Sequence, residues 1–129
     1  MLLHCWPWPV TVIFKAKKNL PSFMLAKDGT IALRCPLHDG LLRLLTHFEG
    51  LFSTSANKSG QQVSESVDQI DEELVRGVEL IVADSDQAIV HLRMPSTIID
   101  CTSMHVRVVR QGAYPIEELE RYYGKPFEK

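Results

Sequence analysis

Cysteine is scarce in this chain. Cys5, Cys35 and Cys101 are odd in number, far apart and without a C-x-x-C spacing, which disfavours a disulfide framework or a zinc site and points to a reducing, cytoplasmic compartment. An excess of charge of one sign is also lacking. With 14 Lys and Arg against 16 Asp and Glu, the formal charge is −2, so the surface as a whole is no nucleic-acid footprint and a basic patch such as Lys15, Lys17 and Lys18 is local. No apolar run reaches the length of a membrane span, and Met1 to Pro7 has neither the basic start nor the apolar length of a signal peptide. His38, His47, His91 and His105 have no metal-ligand spacing, so no metal site on protein ligands is expected. Repeats, low-complexity tracts and dividing linkers are missing too, so the 129 residues, 45% of them hydrophobic, read as one domain with a core.

What is present alternates between strand and helix patterns. Val10 to Phe14, entered through Pro7 and Pro9, is a β-branched run expected to form a buried strand. Leu20 to Leu25 fits either a short helical turn or irregular chain. Thr30 to Arg34 follows a Lys-Asp-Gly turn and alternates strictly, with Thr30, Ala32 and Arg34 on one face and Arg34 at the strand end. Leu41, Leu42, Leu44, Leu45 and Phe48 predict a helix from about Asp39 to Phe48, stopped by Gly50, whose apolar stripe covers a sheet. Ser66-Val67-Asp68-Gln69 reads as a capping box opening a helix that turns Val67, Ile70 and Leu74 inward and ends at Gly77. Leu80 to Ala83, Thr97 to Ile99 and Val106 to Arg110 predict three further strands. A last helix has Pro115 at its first position, Ile116, Leu119 and Tyr122 on its buried face, Tyr123 at the rim and Gly124 at its stop. The expected fold class is α/β, a twisted mixed sheet flanked by helices.

Between these elements, Leu51 and Phe52 read as the buried end of a strand that delivers a polar loop, Ser53-Thr54-Ser55-Ala56-Asn57-Lys58-Ser59-Gly60. A period of two puts Ser53 and Ser55 on one face. Their hydroxyls, the Asn57 amide, backbone N–H groups and the Lys58 ammonium supply many donors and no fixed negative charge, as phosphate oxygens require. The same composition also makes an ordinary turn.

Five motifs follow one another: Trp6-Pro7-Trp8-Pro9-Val10-Thr11, Thr30-Ile31-Ala32-Leu33-Arg34-Cys35-Pro36, Ser53 to Gly60, Pro95-Ser96-Thr97-Ile98-Ile99-Asp100, and Val109-Arg110-Gln111-Gly112. In that order they resemble the YrdC-like family of threonylcarbamoyl-AMP synthases, over about Leu3 to Gly112. The resemblance implies a YrdC-like (DHBP synthase-like) fold with a positively lined cavity. It implies a nucleotidyltransferase that joins L-threonine, bicarbonate and ATP into threonylcarbamoyl-adenylate with release of pyrophosphate, for threonylcarbamoyladenosine in tRNA. Arg34 would then meet the threonine carboxylate, for which its planar fork is suited, and Ser53 and Ser96 would also contact threonine. Thr30, Ser55 and Arg110 would contact the nucleotide, Asn57 would help hold its phosphates, and Mg²⁺ would accompany the ATP. No protein nucleophile is implied. Further implied partners are tRNA or other RNA and downstream threonylcarbamoyl transferase proteins, with no membrane.

The family's segment ahead of the Trp-Pro motif, with its Pro-Thr-Asp/Glu-Thr strand and its Lys/Arg run, has no counterpart in this sequence. Residues 1–129 are therefore expected to form the C-terminal two-thirds of one family domain, with an apolar sheet edge open to self-association. Trp8 stands where the family has Gly, and Val63 where some relatives have a nucleotide-contacting Ser, which leaves Ser64 as the substitute. The missing segment admits a second reading, a non-catalytic YrdC-like remnant that binds nucleotide or double-stranded RNA.

Overall fold

The computed structural model describes residues 4, 6–58, 64, 66–82 and 94–128. Strand β1 (Val10–Lys15) forms where the β-branched run stands, and its alternation sets Val10 and Val12 inward, both fully buried. It pairs antiparallel with β2 (Thr30–Arg34) and parallel with β3 (Thr97–Asp100), and β3 pairs antiparallel with β4 (Arg107–Arg110). The result is a mixed sheet in the order β2-β1-β3-β4. The parallel ladder is prolonged at both ends, by the Thr97 amide donating to the Pro9 carbonyl at 3.0 Å and the Cys101 amide to the Ile13 carbonyl at 2.9 Å.

One face of this sheet is the core. Val10, Val12 and Ile99 are joined there by Val106, by Leu119 of helix α3 (Ile116–Tyr123) and by Phe127, with Ile116 and Tyr123 packed alongside. Gly124 ends α3 with φ 81°, a left-handed conformation that suits glycine, and its amide closes the last turn onto the Glu120 carbonyl at 2.8 Å. The chain then returns along β4, where Glu128 exchanges backbone bonds of 2.9 Å with Val106 and Val108. The buried tyrosine is the reverse of the expectation: Tyr123 packs on the core and Tyr122 is exposed. Seven residues from Ile116 return closer to the same helix face than six do.

Away from the core several expectations change. Helix α1 (Asp39–Leu45) stops short of Phe48, because Thr46 turns its hydroxyl and its amide onto the Arg43 carbonyl, at 2.7 and 3.1 Å. Among the described residues its stripe covers no sheet, since Leu41, Leu44 and Phe48 are all exposed. Ser66 caps nothing. Residues Val67–Gln69 form a 3₁₀ turn, and helix α2 (Glu72–Arg76) is capped instead by Asp71, whose charged carboxylate accepts from the Glu73 amide at 2.9 Å. Pro115 is the cap of α3 and not its first residue, and Leu20 to Leu25 contains a 3₁₀ turn at Ser22–Met24. Leu80, Ile81 and Val82 are exposed and not in a strand, as are Leu51 and Phe52. Such runs become strands only beside a ladder partner, and none pairs with them among the described residues. Ala83, the end of one expected strand, lies outside the described residues. No helix among the described residues is long and apolar enough to cross a membrane.

Candidate functional site

The face of the sheet opposite the core carries most of the expected site. In an antiparallel ladder, directly paired residues share a face. The pairs Thr11 with Arg34, Ile13 with Ala32 and Lys15 with Thr30 therefore place Arg34 and Thr30 on the side away from Val10 and Val12. The turn into β2 is set by Asp28, whose carboxylate oxygen accepts from the Thr30 amide at 3.1 Å and from its hydroxyl at 2.7 Å. Those two bonds, the hydroxyl's first, hold the Asp28 carboxyl below its ordinary pKa. With its proton directed at Asp28, the Thr30 hydroxyl presents lone pairs to a ligand.

At the end of the sheet where β1 and β3 begin, a row of polar groups crosses all four strands. Arg34 stands on β2 opposite Thr11 on β1. The Thr11 hydroxyl meets the Ser96 hydroxyl at 2.8 Å, one residue ahead of β3. Arg110, on β4, donates from Nε and Nη2 to the Ser96 carbonyl at 3.2 and 2.9 Å. A bulge makes that last contact. Arg107 pairs with Asp100 and Val108 with Ile99, but the register then shifts, so that Arg110 stands opposite Ile98 in the place Val109 would otherwise take.

The Ser96 segment is held from behind. Thr97, fully buried, donates its hydroxyl to the Tyr114 carbonyl at 2.6 Å and accepts from the amides of Gly112 at 2.9 Å and Tyr114 at 3.2 Å. The Ala113 amide donates to the Pro95 carbonyl at 2.9 Å. Gly112 lies so close that an added Cβ would strike the Pro95 oxygen and come within 2.5 Å of the Ser96 carbonyl carbon. Thr11, Thr97 and Gly112 stand within the five motifs, but the sequence pattern assigned no role in the site to any of them and held no sign of the bulge. The bonds at Thr97 had no signal beyond a threonine in a strand.

The charge of this row is positive. Among the described residues no carboxylate pairs with Arg34 or Arg110, whereas Arg107, at the other end of β4, is matched to Asp100 at 3.0 Å. Surrounding atoms desolvate the Arg34 guanidinium enough to lower its pKa, although the side chain as a whole is exposed. It stays charged, and partial removal from water strengthens its attraction for an anion.

The polar loop is the part of the expectation that changes most. Ser53 and Ser55 are exposed and not in a strand, so no sheet face aligns them, and neither hydroxyl hydrogen-bonds to Arg34, Ser96 or Arg110 among the described residues. The Asn57 amide folds back to the Ser55 carbonyl at 2.9 Å and its side chain donates to the Lys58 carbonyl at 3.1 Å. Lys58 is not a spare cation. It bridges Glu73 at 2.7 Å and Asp71 at 3.0 Å, which raise its pKa in that order and tie the loop to the start of α2. Val63 lies outside the described residues, and the Ser64 hydroxyl donates to the Gln69 carbonyl at 3.1 Å. His38 caps α1, its Nδ1 accepting from the Leu41 amide at 3.2 Å.

A mixed sheet with two guanidiniums flanking serine and threonine hydroxyls makes this an α/β domain whose site has the donors an anion requires. The family model described as Telomere recombination, of Sua5, YciO and YrdC proteins, matches residues 1–112, and the chain belongs to that family. The threonylcarbamoyl-AMP synthase of Pyrococcus abyssi is 29% identical over 121 residues, which are 93% of this chain and 35% of that protein. The synthase of Pseudoalteromonas translucida is 33% identical over 110 residues, 84% of this chain and 56% of its own. The crystal structure of P. abyssi Sua5 complexed with L-threonine superposes with a TM-score of 0.79 at 27% identity, over 96% of this chain and 36% of that one. The chain thus spans between 35% and 56% of the length of these relatives.

Proposed function

We propose that residues 1–129 form one domain that carries the threonine and nucleotide contacts of an L-threonylcarbamoyladenylate synthase. The observation that carries this reading is the row of Arg34, Ser96 and Arg110 on one sheet face, in a chain that shares the fold of a protein crystallised with L-threonine. Arg34 takes the carboxylate of L-threonine through two parallel charge-assisted bonds, and Ser96 and Ser53 take its other polar groups. Thr30, Ser55, Asn57 and Arg110 face the nucleotide, with Mg²⁺ entering on the phosphates of ATP. The threonine amine combines with bicarbonate to give a carbamate and water. A carbamate oxygen then attacks the α-phosphorus, a P–O bond forms, and the bond to the β-phosphate breaks to release pyrophosphate. These residues hold carbamate and α-phosphate in line and neutralise the charge that builds up there, which needs no protein nucleophile. The product is a mixed anhydride suited to a threonylcarbamoyl transferase acting on tRNA.

Calorimetric titration of the chain with ATP and Mg²⁺, with and without saturating L-threonine, tests the reading. Nucleotide binding tightened by L-threonine, followed by pyrophosphate release that requires bicarbonate, is the expected result. A folded chain that binds neither ligand rules it out.

A further inference from the structure

We infer that Thr11 is a positioning residue, which fixes the Ser96 hydroxyl for its ligand and links it to the strand that carries Arg34; the inference rests on the assignment of Ser96 to L-threonine above. The backbone of Ser96 is already constrained, by two bonds from Arg110 to its carbonyl and by the close approach of Gly112. Neither constraint acts on the side chain, whose χ1 has three staggered wells to choose from. Among the described residues the Thr11 hydroxyl, at 2.8 Å, is the one group that hydrogen-bonds the Ser96 hydroxyl. Ser96 is only 6% exposed, so water does little to make the choice instead.

Thr11 is suited to this task for two reasons. It is β-branched and lies in β1, an inner strand of the sheet, so its own χ1 is stiff and the hydroxyl is a rigid reference. It also stands directly opposite Arg34, so the well it selects turns the Ser96 hydroxyl toward β2 and a ligand held by that guanidinium. A serine hydroxyl has one proton and two lone pairs. One of these is committed to Thr11, which leaves the others for a ligand.

Thr11→Val keeps the shape and the strand propensity and removes the bond. In calorimetric titrations it weakens L-threonine binding about tenfold, the effect of losing one well-placed hydrogen bond to a polar ligand. Affinity for ATP and Mg²⁺ alone stays unchanged, and Thr11→Ser, which keeps the hydroxyl and loses the β-branch, restores part of the L-threonine affinity. In a Ser96→Ala background, Thr11→Val has no further effect on L-threonine, because the group it positions is gone; an effect of equal size there would mean general structural damage and overturn the inference. L-threonine affinity in Thr11→Val equal to or tighter than that of the unsubstituted chain overturns it as well and leaves the proposed function standing. If the unsubstituted chain does not bind L-threonine, both readings fall together.

Discussion

Arg34 is an arginine at the end of a strand with no carboxylate partner among the described residues, and the geometry of its fork is what a single point charge would lack. Arg34→Lys keeps the charge and loses the paired donors. L-threonine affinity should fall by roughly tenfold or more, since a hydrogen bond to a charged group is worth about 1.5–3 kcal/mol, while the circular-dichroism spectrum is unchanged. Equal affinity in the two proteins would remove Arg34 from the site. Gly112 acts at the same scale through space, not charge. A methyl group there meets backbone at 2.5 and 2.6 Å, and backbone cannot rotate away. Gly112→Ala should lower the unfolding free energy by about 1–3 kcal/mol in urea titrations, as overpacking does. Gly50→Ala, with nothing within 4 Å of the added carbon, should stay within about 0.5 kcal/mol of the parent.

The link between the 53–58 loop and α2 is a property of two elements, and pH reads it. Asp71 has its pKa lowered, first by the Lys58 ammonium and then by the Glu73 amide, while Lys58 has its pKa raised by Glu73 and Asp71. A lowered carboxylate contributes above its ordinary value of 3.8 and loses that contribution as pH falls through the folded value. A raised lysine contributes below its ordinary value of 10.5 and loses that contribution as pH rises through the folded one. The tether is therefore complete between those limits. Amide hydrogen exchange at Asn57 and Lys58, corrected for the intrinsic rate, should accelerate below pH 3.8 and in high salt, since Lys58 and Glu73 are exposed and Asp71 is only half-buried. Flat corrected rates would mean that the ion pairs do not hold the loop. Elements of this kind were the least legible from the sequence. Val10–Lys15, Thr30–Arg34 and Thr97–Asp100 could be read, the first and last as β-branched runs and the second by its alternation, and each finds a ladder partner. Leu51-Phe52 and Leu80 to Val82 are apolar as well and have no ladder partner among the described residues. The choice of Asp71 over Ser66 as a cap, and the bulge that delivers Arg110, depend on neighbours in space that no spacing reveals. For the same reason the arginines of the site were legible as strand ends and the supporting Thr11 and Thr97 were not.

Across the whole molecule, burial is divided unevenly. Among the described residues every fully buried side chain belongs to β1, β3 or α3, and none between Ile13 and Pro95 is buried. Local opening costs little where few apolar contacts are broken, and approaches the global unfolding free energy where the core must come apart. Exchange protection should therefore be highest at the amides of Val12, Ile99 and Leu119, and low through α1 and α2. Trypsin should cut first after Arg43 or Arg76, both exposed, before any site in β1 or β3. Core substitutions should divide the same way. Leu119→Ala, at a fully buried position, should cost about 2–5 kcal/mol and remove protection from β1 and β3 together. Leu44→Ala, at an exposed position on α1, should change global stability by no more than about 0.5 kcal/mol. Equal protection in α1 and β1, or equal costs at Leu44 and Leu119, would mean that residues 37–82 are covered in solution, and concentration-dependent light scattering would then show whether a second copy covers them.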